Sequence, residues 1–274
     1  MGLDQFYTKP EIVDRVLSLV DLNKFDYILE PSAGAGDFLQ KLPKDRRVGI
    51  DLEPASSEIK KADFFDFTYD TDQPVLTIGN PPFGKNSSLA VRFFNHAGEF
   101  SDCIAFIVPR TFRKPSVINR LNPNFHLIRE LILPLNSFYI PAGGDYKVPT
   151  VFQVWERRRS PREKIETVRT HSDFKFISIT SSPSAEEKER QRHEADFCIR
   201  RVGAGAGKVY DCRGEKYRDF KSHYYIKSLT PDAENILRSI DWDYPESPKY
   251  DTAGNPSISK DDLIRFYIEH KRTF

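Results

Sequence analysis

The sequence predicts an α/β domain built on a mostly parallel sheet, followed by a smaller region of different composition. Three observations carry this. Short apolar strands alternate with amphipathic segments as far as Trp155. Two of the strands run directly into special turns, Glu30-Pro31-Ser32-Ala33-Gly34-Ala35-Gly36 and Asn80-Pro81-Pro82-Phe83. Beyond residue 156 the apolar rhythm gives way to basic and polar runs. The 274 residues, 39% hydrophobic, suffice for one large domain with an appendage, expected as 1–156 and 157–274. The 21 Phe and 12 Tyr need a core or stacking partners, which excludes a wholly disordered chain.

The elements follow in order. From Pro10 to Val20, the side chains of Ile12, Val13, Val16, Leu17 and Val20 share one helical face, with Pro10 at the start. Tyr27-Ile28-Leu29 reads as a buried strand, as do Val48-Gly49-Ile50, Val75 to Ile78, Ile104 to Val108, Leu127 to Leu133, and Val151 to Trp155. Glu156 to Arg162 reads as a solvated, Pro-containing linker, and Ser181 to Arg192 as an exposed loop or solvated helix. Ser259 to His270 reads as an amphipathic helix: Ser259 is the N-cap candidate, Asp261 and Asp262 lie in the first turn, and Leu263, Phe266 and Tyr267 share a face.

Composition narrows the function classes. No run approaches the ~18 apolar residues of a membrane span, and Met1 to Gln5 has neither the basic head nor the apolar segment of a secretory signal. Cys103, Cys198 and Cys212 are too few and scattered for a disulfide framework or zinc site, so a cytoplasmic setting and no metal are expected. The net charge of +1 is a sum of unlike parts: residues 1–156 carry 17 basic and 20 acidic side chains, residues 157–274 carry 24 and 20. The basic surplus therefore lies in the smaller region, which leaves a nucleic-acid partner open.

In the first special turn, Gly34 and Gly36 stand where the backbone must bend sharply and approach a ligand, and the turn is expected to aim a helix N-terminus at that ligand. Asp51 closes the next strand, where a carboxylate can accept both hydroxyls of a ribose. Alone, these residues serve equally as a structural turn and a helix cap. The turn is not a phosphate loop, since no Gly-Lys-Ser/Thr follows, and Leu39 stands where a dinucleotide motif has its third glycine. Glu30 and Asp37 flank the glycines and would repel a pyrophosphate. They suit a cationic cofactor such as S-adenosylmethionine, with its sulfonium and ammonium groups.

The second turn, Asn80 to Phe83, also follows a strand, at the sheet end where ligands of open α/β folds collect. Its two prolines fix the backbone and remove two donors, so the Asn80 side-chain oxygen and the Pro81 carbonyl can both accept from one exocyclic amino group. Phe83 offers a face for the base that carries it.

Taken together, the motifs resemble those of class I S-adenosylmethionine-dependent amino-methyltransferases of the adenine-N6 type, with the cofactor motifs first and a target-recognition region last. The resemblance covers roughly the first 155 residues. It implies a Rossmann-like seven-stranded methyltransferase sheet whose last two strands are antiparallel. Asp4 to Pro10 resembles the amino-terminal cofactor motif, Glu30 to Phe38 the Gly-rich motif, Asp51 the ribose acid, and Ala62-Asp63-Phe64 the motif that holds the cofactor's adenine. The implied cofactor residues are Gln5, Tyr7, Thr8, Glu30, Ser32, Ala33, Gly34, Gly36, Asp37, Phe38, Asp51, Leu52, Asp63, Phe64 and Asn80; the implied catalytic residues are Asn80, Pro81, Pro82 and Phe83. A further aromatic is implied between the last two strands, where Phe138, Tyr139 and Tyr146 stand, and Tyr146 is favoured. Asn rather than Ser at position 80 favours adenine over cytosine.

In the second region, Arg200-Arg201 and Lys208 bracket a glycine loop suited to following a phosphate backbone, and Tyr224 with Lys227 belongs to a run that interleaves basic and aromatic side chains. The expected substrate is DNA, with base flipping, in an orphan enzyme or the modification half of a restriction-modification pair with a separate nuclease. RNA is the main alternative; a protein-glutamine methyltransferase or a non-catalytic module of the same fold is less favoured.

Overall fold

The structure is a computed structural model and describes residues 6–140, 143–178, 184–212 and 221–273. The chain divides into two compact units, Met1–Ile165 and Glu166–Phe274.

In the first unit the elements run β1 (Tyr7–Thr8), α1 (Pro10–Leu17), β2 (Tyr27–Glu30), β3 (Arg47–Asp51), β4 (Lys60–Lys61), β5 (Val75–Gly79), α2 (Ser88–Phe100), β6 (Cys103–Pro109), α3 (Pro115–Ile118), β7 (Phe125–Ile132), β8 (Phe138–Tyr139), β9 (Asp145–Tyr146) and β10 (Thr150–Arg157). Seven strands form one sheet in the order β4-β3-β2-β5-β6-β10-β7. The pairs from β4 to β6 are parallel, and β10 inserts between β6 and β7, antiparallel to both. This is the Rossmann-like α/β sheet expected from the sequence. Its apolar strands bury both faces: Ile104, Phe106 and Val108 of β6 enter one core cluster, while Cys103, Ala105 and Ile107 enter another. A separate three-stranded sheet, β1-β8-β9, pairs Tyr7 with Tyr139 and Phe138 with Tyr146.

Two expectations need correction. The Gly-rich turn does not lead into an α-helix; Leu39–Lys41 makes a single 3-10 turn. Pro43 follows at once and β3 begins at Arg47, so there is no length for a helix and no macrodipole behind the turn. Nor is 157–162 a solvated linker. Arg157 ends β10 and donates to the carbonyls of Ser101 at 2.9 Å and Gly98 at 2.7 Å. Arg162 donates to those of Phe125, Ile118 and Leu121 at 3.0, 2.7 and 3.0 Å. The guanidinium groups reach carbonyls in the last turns of α2 and α3, just beyond them at Ser101 and Leu121, and at the first residue of β7, and these charge-assisted bonds tie Arg157 and Arg162 to the first unit.

The second unit comprises β11 (Phe174–Phe176), α4 (Ala185–Glu194), β12 (Phe197–Arg200), β13 (Val209–Tyr210), β14 (His223–Ser228), α5 (Ala233–Ser239) and α6 (Lys260–Lys271). Its antiparallel sheet, β11-β14-β12-β13, shares an apolar cluster with α5 and α6 that includes Phe174, Phe197, Ile226, Ile236, Leu263 and Tyr267. Helix α6 begins as its sequence implies: Ser259 caps it and exchanges hydrogen bonds with Asp262 in a capping box. The polar run near 185 is a helix capped by Ser184, although Arg192 turns inward and donates to the Cys212 carbonyl. Among the described residues no helix is long and apolar enough to cross a membrane.

Candidate active site

The carboxyl ends of β2, β3 and β5 open onto one cavity of about 220 Å³. Of the residues expected to hold a cofactor, Tyr7, Thr8, Glu30, Ser32, Ala33, Gly34, Asp37, Phe38, Asp51, Leu52, Asp63, Phe64 and Asn80 line it, together with Pro81 and Pro82. Gly36 is not among the lining residues. Phe83 and Tyr146 lie outside the cavity, and Gln5 falls outside the described residues.

The glycines have distinct reasons. Gly34 has φ +50°, and a Cβ there would sit 2.6 Å from Tyr7 Cε1, so the Tyr7 ring roofs the turn directly. Gly36 has φ +89°, and a Cβ there would make only ordinary contacts with Ile59 and Gln40, so backbone conformation rather than crowding demands it. The Gly34 N–H donates to Asp51 Oδ2 at 2.8 Å, and Asp51 Oδ1 accepts from the Glu53 N–H at 2.8 Å. Asp51 thus serves both readings, since a carboxylate bonded to the backbone keeps lone pairs for a ligand hydroxyl. Ser32 Oγ donates to the Asn80 carbonyl at 3.2 Å and ties the two special turns together. The Asp63 side chain accepts from the Phe65 N–H at 2.9 Å, and the Phe64 ring packs into the core against Phe93.

Charge and unsatisfied groups define what the cavity can hold. Glu30, Asp37, Asp51, Glu53 and Asp63 line it, and among the described residues no Lys, Arg or His does. Three buried polar atoms of its lining have no hydrogen-bond partner among the described residues: Thr8 Oγ1, Glu30 Oε2 and Asn80 Oδ1. A buried orphan costs about 1–3 kcal/mol, so three in one cavity mark a place for ligand donors. Burial pushes the Glu30 carboxyl well above the ordinary carboxylate range, and Asp37 and Asp51 add to the rise. Burial also raises Asp37, against the Tyr139 hydroxyl that donates to it at 3.0 Å. Tyr139 itself is pushed up to about 12 by burial and by Asp37. Such a set of crowded acids is relieved by a cation.

A prediction follows from Glu30. A carboxyl raised on folding lends stability below its unfolded value and loses it as pH climbs toward the folded one. Glu30→Gln removes that loss. The ligand-free variant is expected to melt about 2–5 °C higher at neutral pH and to bind a cationic ligand about tenfold more weakly. Thermal melts across pH 5 to 8, with and without such a ligand, check both; a lower melting temperature at every pH would refute the assignment of strain to this carboxyl.

The residues expected to touch nucleic acid are placed less openly. The Arg200 Nε donates to the Val202 carbonyl at 2.9 Å, and the guanidinium lies along Gly203 and Gly205. The Arg201 guanidinium lies 5.4 Å from the Tyr224 ring centroid, and the Tyr224 hydroxyl donates to the Ile258 carbonyl at 3.1 Å. The glycine loop is bonded within itself, Gly207 N–H to the Arg200 carbonyl and Lys208 N–H to that of Gly205, and Gly207 lies flat on Trp242. Lys208 is exposed, and Lys227 stands 3.9 Å from Asp196. Of the five, Lys208 and Lys227 therefore keep the most accessible charge.

Phe6 was missed by sequence reasoning. It lines the cavity, stacks on Tyr146 with centroids 4.7 Å apart and 17° between planes, and meets Phe83 at 5.3 Å. Its signals were its place in the Asp4–Pro10 stretch that resembles the amino-terminal cofactor motif and its pairing with Tyr7 in a short aromatic run.

No family model matches the chain, and no curated protein matches it. Among solved structures, PH1948 of Pyrococcus horikoshii, assigned by inference as an RNA methyltransferase, is similar at 19% identity and a TM-score of 0.43, over 57% of this chain and 88% of that one. A Thermoplasma acidophilum protein, 1320, is similar at 16% identity and 0.40, over 56% and 88%. The Schizosaccharomyces pombe Dnmt2 methyltransferase is similar at 16% and 0.30, over 88% and 92%. The fold rests on the strand order itself rather than on these likenesses.

Proposed function

We propose that this chain is an S-adenosylmethionine-dependent methyltransferase that methylates the N6 amino group of adenine in DNA. The observation that carries the reading is the cavity just described: acids without a base, and the unpartnered Asn80 Oδ1 at its edge on a proline-fixed turn. Asp51 would hold the ribose, Asp63 the adenine amino group, and Glu30 with Asp37 the cationic end, under the Tyr7 roof. S-adenosylmethionine supplies the methyl group as an electrophilic carbon on sulfur.

The chain's own residues then have to make a poor nucleophile competent. The amino lone pair of adenine is delocalised into the ring. Accepting both N–H groups at Asn80 Oδ1 and the Pro81 carbonyl favours a more tetrahedral nitrogen and aims its lone pair into the cavity. Phe83 and Tyr146 would hold the flipped base by its faces, offsetting an unstacking cost of a few kcal/mol. After transfer the proton would leave to water. Lys208 and Lys227 would supply contacts to phosphate, and a regional surplus of four charges implies salt-sensitive affinity.

The test is tritiated methyl transfer to duplex DNA, single-stranded DNA and RNA, followed by nucleoside analysis. N6-methyldeoxyadenosine is expected. N6-methyladenosine alone would move the substrate to RNA, and N4-methyldeoxycytidine would overturn the choice of base.

A further inference from the structure

Phe6 stands in the slot that the proposed reaction gives to the target base, and the inference that follows rests on that reading. The strand pair β1-β8 brings Phe6 beside Phe138, at 5.0 Å and 75°, and from there its ring lies on Tyr146 at 4.7 Å and 17°. The near-parallel contact with Tyr146 is the geometry a stacked base would adopt. The same ring also meets Phe83, at 5.3 Å and 60°. A base held between Phe83 and Tyr146 would need the volume that the Phe6 ring fills, and it would have to reach Asn80 past that ring, which borders the cavity.

The geometry points to Phe6 as an internal competitor for the target base. Substrate enters only when the Phe6 ring withdraws from Tyr146, and its withdrawal is part of the cost of binding. Phe6 is only half-buried and β1 is two residues long, so a side-chain rotation suffices and the pairing of Tyr7 and Thr8 with β8 can persist. The Lys9–Asp145 ion pair at 2.7 Å, between the chain after β1 and the start of β9, keeps Phe6 close enough to return. The consequence is selectivity. A base displaces the ring when its own stacking on Tyr146, together with the amino contacts to Asn80, exceeds what the phenyl ring gains there. Two fused rings offer a purine more stacking area than one six-membered ring offers a pyrimidine.

The effect is that of an equilibrium in which only a fraction of the chain is competent to bind, so the apparent constant is raised by the inverse of that fraction. Phe6→Ala, Phe6→Leu, wild type and Phe6→Trp are compared for methyl transfer to unmethylated duplex DNA of mixed sequence, with cofactor affinity followed by calorimetry. KM for DNA is expected to rise in that order, with the alanine variant about fivefold below wild type. A ring that is simply part of the site gives the reverse: every substitution raises KM or lowers kcat, and that result overturns the proposal. An unchanged KM across the series overturns it too. Should the alanine variant fail to fold, the leucine and tryptophan variants still bracket wild type. If the wild-type chain itself transfers no methyl to DNA or RNA, the methyltransferase reading fails first and this inference with it.

Discussion

Asn80→Ala is expected to lower kcat for methyl transfer by about 10²- to 10³-fold, while the dissociation constant of S-adenosylmethionine stays within about threefold of wild type. The asymmetry follows from where the side chain sits. Gly79 closes β5 with φ +148°, and the following Asn80 holds its Oδ1 buried without a partner, while its backbone carbonyl is already engaged by Ser32. Truncation therefore leaves the turn in place and removes only the side-chain acceptor. On the proposed reading, the cofactor's charged end and ribose would still be held by Glu30, Asp37 and Asp51. Asn80→Asp refines the test, because it keeps the acceptor and deletes the donor; it should retain more activity than the alanine variant even though its charge adds to a crowded acidic cavity. Stopped assays with tritiated cofactor and calorimetric titration measure the two quantities separately. Near-normal transfer by Asn80→Ala would sink the assignment of this turn as the amino-group site.

How much of this was legible beforehand depends on how local each signal is. The buried strands declare themselves, because a strand covered on both faces is a continuous apolar run, as in Ile104 to Val108. The two special turns were legible for the same reason: glycine and proline restrict the backbone at the residue where they stand. Strand β4 was not, because Lys60-Lys61 is exposed and carries no apolar pattern; it is a strand only because β3 offers it a parallel edge. The clamp by Arg157 and Arg162 was hidden in another way. A basic run reads as solvated unless one knows which carbonyls lie within reach, and those of Gly98, Ser101 and Leu121 come from distant parts of the chain.

The same distinction separates the two halves of the candidate site. Most of the residues that line the cavity were named through motifs at strand ends. The engagement of half-buried Arg200 and Arg201 with their own loop and Tyr224 was not, because the second contact depends on β12 and β14 pairing across more than twenty residues. Phe6 combines both difficulties: its neighbours Phe83, Phe138 and Tyr146 belong to three separate segments.

Gly34→Ala is expected to weaken S-adenosylmethionine binding by about a hundredfold and to lower stability by about 1–3 kcal/mol. Two costs act at one position. An L-residue at φ +50° carries the left-handed penalty, and its methyl group would stand 2.6 Å from Tyr7 Cε1 and 3.2 Å from Tyr7 Cδ1. The backbone cannot retreat easily, because the Gly34 N–H is held by Asp51 and the Gly34 carbonyl accepts from the Ala55 N–H at 3.2 Å. The Tyr7 ring must therefore move, and with it goes the roof of the cavity and the Tyr7–Tyr139 contact at 5.6 Å. The two costs separate in a double-mutant cycle. Against a Tyr7→Ala background the steric part has already gone, so Gly34→Ala should then cost only its conformational share, leaving a coupling of about 1 kcal/mol between the two positions. Denaturant melts of the four proteins measure that coupling, and cofactor titrations of the same four show whether the loss of affinity follows the displaced ring. Additive effects in both would mean that Tyr7 does not roof the turn.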